Sequence, residues 1–218
     1  AAMAEGDLVR HLRQMAARNA SADDFACFLG AGSYDHGIPS PINHLISRGE
    51  FFTAYTPYQP EASQGTLRTI FEYQTMMAEL TGMDVANASI YDGASSLAEG
   101  VLMAHAITGR AETAWSRGVN PLYQQVVETY CEGPDFRLKA VRLGDGVTDL
   151  DALRKAVTER TAAVVVQYPN FFGCLEDLRA ASEIAHAKGA LLVVAADPVN
   201  LGFLTPPGAL GADIVVGE

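Results

Sequence analysis

The sequence is poor in cysteine and contains no long apolar run. Its three cysteines, Cys27, Cys131 and Cys174, lie far apart and form no CxxC pair. This spacing argues against a disulfide framework and gives no indication of a structural zinc site, so no metal ligand is predicted. We expect a reduced, cytoplasmic protein whose thiols fill the core.

Positive charge is also scarce. There are 15 Lys and Arg residues against 26 Asp and Glu residues, which gives a net charge of −11. With no basic cluster, the chain is not expected to bind nucleic acid or an anionic membrane, so its partners should be proteins or small molecules. The amphipathic N-terminal segment lacks the apolar core of a secretion signal. Neither G-x-G-x-x-G nor a Walker sequence is present, which disfavours a nucleotide-binding module.

The residues that are abundant predict one large α/β fold. Hydrophobic residues make up 49% of 218 residues, enough for a substantial core. From Val85 onward, apolar strand-like segments alternate with amphipathic helices, which predicts a mainly parallel sheet with helices on both faces. Residues 1–50 are interpreted as an N-terminal helical arm with a glycine-rich loop at Gly30–Gly37, and residues 51–218 as the large domain.

The stretch from Thr53 to Gly100 has the most unusual composition. Two prolines stiffen the segment YTPYQP, which leads into a predicted helix that Gly82 ends. We expect a short strand at Val85–Ile90 and then a turn, DGAS, that opens a further helix. A small-residue turn before a helix suits an anion, because backbone N–H groups and the helix dipole both point outward.

Three polar loops should meet at one edge of the predicted sheet. They follow the strands expected to end at Asp92, at Gln167 and at Asp197. Ligands of such sheets bind beyond the carboxyl ends of the strands. An anion-binding turn near a strand-end carboxylate fits a cofactor with a phosphate and a protonatable ring nitrogen. The simpler interpretations are that DGAS is an ordinary helix cap and that the tyrosines of YTPYQP only pack.

The segments YTPYQPEASQG, DGAS, VVVQYPNFFG, AADPVNLG and GADIVVGE carry a family resemblance. The chain from about Phe28 to Glu218 resembles the glycine-cleavage P-protein, glycine dehydrogenase (aminomethyl-transferring), in particular subunit 1 of the two-subunit bacterial form. The resemblance implies the large domain of a fold type I, aspartate-aminotransferase-like enzyme that uses pyridoxal phosphate (PLP), incomplete at its C-terminus. The implied reaction releases CO₂ from glycine and passes the aminomethyl group to the lipoyl arm of the H-protein, with PLP as the electron sink.

Lysine placement decides where the implied cofactor is attached. The chain has only Lys139, Lys155 and Lys188, so no lysine follows Asp197, where the family would need one. The resemblance therefore implies that PLP is bound covalently to the partner, subunit 2, in a heterotetramer that is active only as a complex. A longer chain with its lysine beyond Glu218, as in another fold type I aminotransferase or desulfurase, is the alternative.

The resemblance also implies roles for particular residues. Residues of the stiff loop are expected to line the active site, donating hydrogen bonds to substrate, cofactor or lipoyl sulfur. These are Tyr55, Tyr58, Gln59, Ser63 and Gln64. The expected cofactor-binding residues, which are alternatively retained only as caps and turns, are Asp92, Gly93, Ala94, Ser95 and Asp197. A catalytically silent scaffold subunit is the remaining alternative.

Overall fold

A computed structural model describes residues 2–22, 24–30, 32, 34 and 36–218. Its contacts divide the chain into two units, Ala1–His44 and Leu45–Glu218. The first unit contains α1 (Glu5–Ala16) and part of the predicted glycine-rich loop, of which Ala31, Ser33 and Asp35 lie outside the described residues. The predicted domain division at residues 50 and 51 stays a prediction.

Seven further helices follow α1 in the described chain. They are α2 (Pro41–Ile46), α3 (Gly49–Phe52), α4 (Gln64–Thr81), α5 (Gly93–Thr108), α6 (Pro121–Glu132), α7 (Leu150–Ala156) and α8 (Leu178–His186). Two 3₁₀ turns cover Asn200–Gly202 and Pro207–Leu210. Among the described residues, no helix is both long and apolar enough to cross a membrane.

The strands form one parallel sheet and a small hairpin. They are β1 (Glu112–Ser116), β2 (Arg137–Val141), β3 (Leu143–Gly144), β4 (Val147–Thr148), β5 (Thr161–Tyr168), β6 (Leu191–Ala196) and β7 (Ile214–Val216). The sheet has the order β2-β1-β5-β6-β7, and every neighbouring pair in it is parallel. Strands β3 and β4 pair separately in antiparallel fashion. The mainly parallel sheet predicted from the sequence is confirmed.

The central strand β5 explains why its sequence is apolar without alternation. Val164 and Val166 pack with residues of α7 and α8, whereas Ala163 and Val165 pack with residues of α5 and α6. Successive side chains of a strand point to opposite faces, so a strand covered by helices on both sides needs apolar residues at every position. The predicted helices on both faces are therefore confirmed.

The strand predicted at Val85–Ile90 is wrong, because this segment is an irregular loop. Ser89 has a φ of 117°, which is incompatible with a strand, and the Asn87 side chain accepts a hydrogen bond from its N–H. Val85 is exposed, so its β-branched side chain has no core to enter. Asp92 consequently follows a loop rather than a strand.

Helices α4, α5 and α7 each have a capping residue at one end. Gly82 and Gly109 end α4 and α5 with φ of 71° and 68°, the left-handed conformation that favours glycine. The N-cap of α7 is Asp149, whose Oδ1 accepts from the N–H groups of Asp151 and Ala152.

Candidate functional site

The carboxyl ends of β5, β6 and β7 lie side by side at one edge of the sheet, called here the carboxyl edge. Directly after β7, the chain passes very close to β6. A Cβ atom added to Gly217 would lie 2.0 Å from the carbonyl oxygen of Ala196. Only glycine permits this approach. Asp197, which follows β6, and Glu218, two residues after β7, therefore both lie at this edge.

The amino end of α5 reaches the same edge. The N–H of Gly93 donates to Oε2 of Glu218 at 2.8 Å, and the Tyr123 hydroxyl donates to Oε1 of the same carboxylate. The DGAS turn thus lies at the carboxyl edge, as expected, although no strand leads into it. The role of Asp92, Gly93, Ala94 and Ser95 in cofactor binding stays a prediction.

Asp92 is the N-cap of α5. Its Oδ1 accepts from the Ser95 N–H at 2.7 Å and its Oδ2 from the Ser95 hydroxyl at 3.0 Å. The bond from the Ser95 N–H and then that from its hydroxyl lower the pKa of Asp92, so the side chain is ionised at neutral pH. The geometry is that of a helix cap, which was the simpler interpretation of this turn.

Asp197, the carboxylate expected beside a cofactor ring nitrogen, also bonds to its own turn. Oδ1 accepts from the Val199 N–H at 2.9 Å, and Oδ2 accepts from the Asn200 side-chain amide at 2.8 Å. Both carboxylate oxygens therefore stabilise the turn that leads into the following 3₁₀ segment.

The third loop, after β5, is built around a buried polar network that the sequence did not reveal. Asn170 is 2% exposed and its side chain makes four hydrogen bonds, which include 2.8 Å bonds from its amide to Oε1 of Glu176 and to the Gly146 carbonyl. Oε2 of Glu176 accepts from the Thr148 N–H at 2.9 Å. The network fixes the loop that follows Tyr168, and every polar group of Asn170 is used in doing so.

The predicted catalytic loop is exposed. Tyr55 and Tyr58 are 82% and 78% exposed, with their ring centroids 6.4 Å apart. The Gln64 side chain donates to the Pro60 carbonyl at 2.7 Å, and the backbone carbonyl of Gln59 accepts from the Ser63 N–H at 3.0 Å. These bonds shape the loop at the start of α4, and both tyrosine rings remain open to solvent.

The position of α4 relates the loop to the sheet. The helix contacts the 3₁₀ turn Asn200–Gly202, which follows the carboxyl end of β6. Its C-cap residue, Gly82, contacts Gly208 in the turn that precedes β7. Helix α4 therefore runs beside the sheet with its carboxyl end toward the start of β7.

Pyridoxal phosphate at the carboxyl edge would need free N–H groups for its phosphate, a carboxylate for its ring nitrogen and a lysine for its aldehyde. The N–H groups of Gly93 and Ser95 are occupied by the protein's own carboxylates. Among the three lysines, Lys139 pairs with Glu112 at the opposite edge of the sheet, and Lys188 pairs with Glu159. The residues at this edge do not fit the group.

Two contributors to the edge, Tyr123 and Glu218, were missed in the sequence. The signal for Glu218 was an acidic residue placed directly after a strand and a glycine, the same strand-end position that singled out Asp197. Tyr123 lies in the first turn of α6 and gave no distinguishing pattern.

The sequence was compared with protein families and with curated proteins. The family described as "Glycine cleavage system P-protein" matches residues 1–218. The "Probable glycine dehydrogenase (decarboxylating) subunit 1" of Desulforamulus reducens is 54% identical over 216 residues, 99% of this chain and 48% of the relative. The protein of the same name from Brevibacillus brevis is 55% identical over 218 residues, 100% of this chain and 48% of the relative.

Solved structures agree with this assignment. A crystal structure of glycine decarboxylase (P-protein) of the glycine cleavage system, in inhibitor-bound form, matches all of this chain and 48% of that protein, with a TM-score of 0.94 and 50% identity. A sphingosine-1-phosphate lyase from Burkholderia pseudomallei, 19% identical with a TM-score of 0.64 over 98% of this chain and 51% of that one, shares the fold. The chain spans about half the length of the curated relatives it matches. It belongs to the glycine cleavage system P-protein family.

Proposed function

We propose that the protein is a subunit of a glycine dehydrogenase (decarboxylating), which removes CO₂ from glycine and transfers the aminomethyl group to the lipoyl arm of an H-protein. The observation that carries this proposal is the family match over residues 1–218, with relatives named as subunit 1 of that enzyme. The three unpaired cysteines are consistent with the reducing cytoplasm as its location.

A partner subunit would hold the covalently attached pyridoxal phosphate. One feature of this chain supports that arrangement: the DGAS turn is filled by the chain's own carboxylates. The name "subunit 1" that the relatives carry supports the existence of a second subunit.

The loop that carries Tyr55 and Tyr58 is the part of this chain that we expect to reach the active site at the interface with the partner subunit. None of the 18 residues of α4 is buried, and Phe71 on that helix is 71% exposed. Apolar surface of this kind favours an interface with protein surface outside these residues. At such an interface, the hydroxyls of Tyr55 and Tyr58 would donate hydrogen bonds while their rings exclude water from the glycine.

The test is the rate of glycine decarboxylation by the complex of the full-length chain with subunit 2. Tyr55→Phe and Tyr58→Phe each remove one hydroxyl and leave the ring in place. A hydrogen bond made at the reacting centre contributes about 1–2 kcal/mol, so we expect kcat/KM to fall about tenfold. Tyr130→Phe, on the exposed side of α6, is the matched control and should keep wild-type activity.

Wild-type kcat/KM in both loop variants would remove these hydroxyls from the mechanism. The scaffold alternative is favoured by the self-filled DGAS turn. It predicts that a triple variant, with Tyr55→Phe, Tyr58→Phe and Gln59→Ala, also keeps full activity in an intact complex. If the loop contributes to the site, this variant should lose more activity than either single variant.

A further inference from the structure

Carboxylates of the chain itself occupy two backbone donors in the first turn of α5. A helix begins with four N–H groups that lack partners within the helix. In α5 two of these groups have carboxylate partners: the Gly93 N–H donates to Glu218 and the Ser95 N–H to the Asp92 side chain. A ligand phosphate would have to compete with both carboxylates for these donors.

The Glu218 carboxylate lies in a space with little room for other atoms. A Cβ atom on Gly93 would lie 2.5 Å from the Tyr123 hydroxyl oxygen and 2.9 Å from Cδ of Glu218. On the other side, Gly217 lies against the Ala196 carbonyl with no room for a side chain. Two glycines and a tyrosine hydroxyl thus form a pocket that the carboxylate of Glu218 fills.

Charge adds to this steric fit. Among the described residues, neither Asp92 nor Glu218 forms an ion pair with lysine or arginine. A phosphate group, which carries about −1.5 to −2 charges at neutral pH, would have to enter beside both carboxylates. The negative charges of the phosphate and of the carboxylates would repel each other, so phosphate binding is disfavoured while Glu218 is in place.

We propose that Glu218 is an internal substitute for a ligand phosphate, which closes the α5 turn of this chain to phosphate-bearing cofactors. Its carboxylate takes the N–H group and the helix dipole that an external phosphate would use, and it ties the end of β7 to α5 and α6. The inference goes beyond the proposed function, since it rests on contacts within this chain and its test involves no catalysis.

The experiment uses the full-length chain with Glu218→Ala and Glu218→Gln, and inorganic phosphate and pyridoxal phosphate as probes. Binding is measured by equilibrium dialysis and by the rise in Tm that bound ligand causes. We expect Glu218→Ala to bind phosphate at least tenfold more tightly than wild type, with a Tm that rises as phosphate is added. Glu218→Gln keeps an acceptor for Gly93 but loses the charge, so its gain should be smaller.

Glu99→Gln is the matched control, because Glu99 is an exposed carboxylate on the same helix. Its phosphate binding should equal that of wild type. Equal phosphate binding by wild type and the Glu218 variants, or an equal gain in Glu99→Gln, would overturn the proposal. If Glu218→Ala fails to fold by circular dichroism, Glu218→Gln alone decides: wild-type phosphate binding in that variant also overturns it.

Discussion

His105 is a buried histidine on α5 whose two ring nitrogens both have partners. Nδ1 lies 2.5 Å from the Arg110 carbonyl, so it carries the proton, and Nε2 lies 2.9 Å from the Thr113 hydroxyl, which donates to it. The ring stacks on Phe136 with centroids 3.7 Å apart. Burial lowers the pKa of His105, which keeps the imidazole neutral.

Acid should therefore destabilise the fold through His105. Its folded-state pKa lies below the unfolded value of about 6.5, so the unfolded chain binds the proton first. The stabilisation is complete above that value and falls as pH drops below it, by at most about 1.4 kcal/mol per pH unit for one proton. The measurement is urea unfolding between pH 7.5 and pH 5, followed by the fluorescence of Trp115, which is the only tryptophan and is buried.

His105→Gln should show a weaker pH dependence over that range. It should also lose about 2 kcal/mol of unfolding free energy at pH 7.5, because two buried hydrogen bonds and a stacked ring are removed. His11→Gln, on the exposed surface of α1, should match wild type at every pH. An unchanged pH dependence in His105→Gln would contradict the assignment of the neutral imidazole.

At the scale of elements, the amino end of α6 is held at the carboxyl edge by Asn120. Its Oδ1 accepts from the Leu122 N–H at 2.9 Å, and its own N–H donates to the Gln167 side chain at 2.8 Å. Asn120→Ala removes the cap and should lower the unfolding free energy by about 1 kcal/mol. Asn120→Asp keeps the cap and should retain more of that stability; equal losses in the two variants would show that the cap is not the cause.

The sequence predicted those elements whose local signals agree with their packing. In β5 the continuous apolar run indicates a strand covered on both faces, and Asn120-Pro121 and Gly109 mark helix ends. The loop before Asp92 was missed because Val85 and Ile90 have β propensity, yet in the described part of the chain no strand lies beside them to pair with.

The candidate site was predictable only in part. Asp197 reaches this edge because it follows a parallel strand, a rule that needs no side-chain detail. Asp92 reaches it as the cap of α5, although a loop rather than a strand precedes it. The contact between Gly93 and Glu218 joins residues 125 positions apart. It depends on the close approach of Gly217 to β6, which no local pattern encodes.

At the scale of the whole molecule, the lysines of this chain lie away from the DGAS turn. Lys139 and Lys188 pair with Glu112 and Glu159, and Lys155 is exposed in the last turn of α7. Borohydride reduction of the assembled complex with pyridoxal phosphate should therefore attach the cofactor to subunit 2 and to no lysine of residues 1–218. Peptide mass spectrometry after digestion locates the label, and the unreduced complex is the control.

A reduced pyridoxyl group on any lysine of this chain would contradict the proposed division between subunits. The result is independent of the phosphate experiment, since a covalent attachment and a phosphate contact are made by different residues. The label could be found on subunit 2 while the Glu218 variants gain no phosphate affinity. That result would support the proposed attachment of the cofactor to subunit 2 and contradict the proposed role of Glu218.

The open surface of α4 has a practical consequence for making the protein. Helix α4 has 18 residues and no buried side chain, and Phe52 and Tyr91 are also exposed. This exposed apolar surface favours self-association of the protein in solution. Residues 1–218 produced by themselves should precipitate at concentrations where ordinary enzymes remain clear. If α4 meets the partner subunit as proposed, co-expression with that subunit should raise the soluble yield.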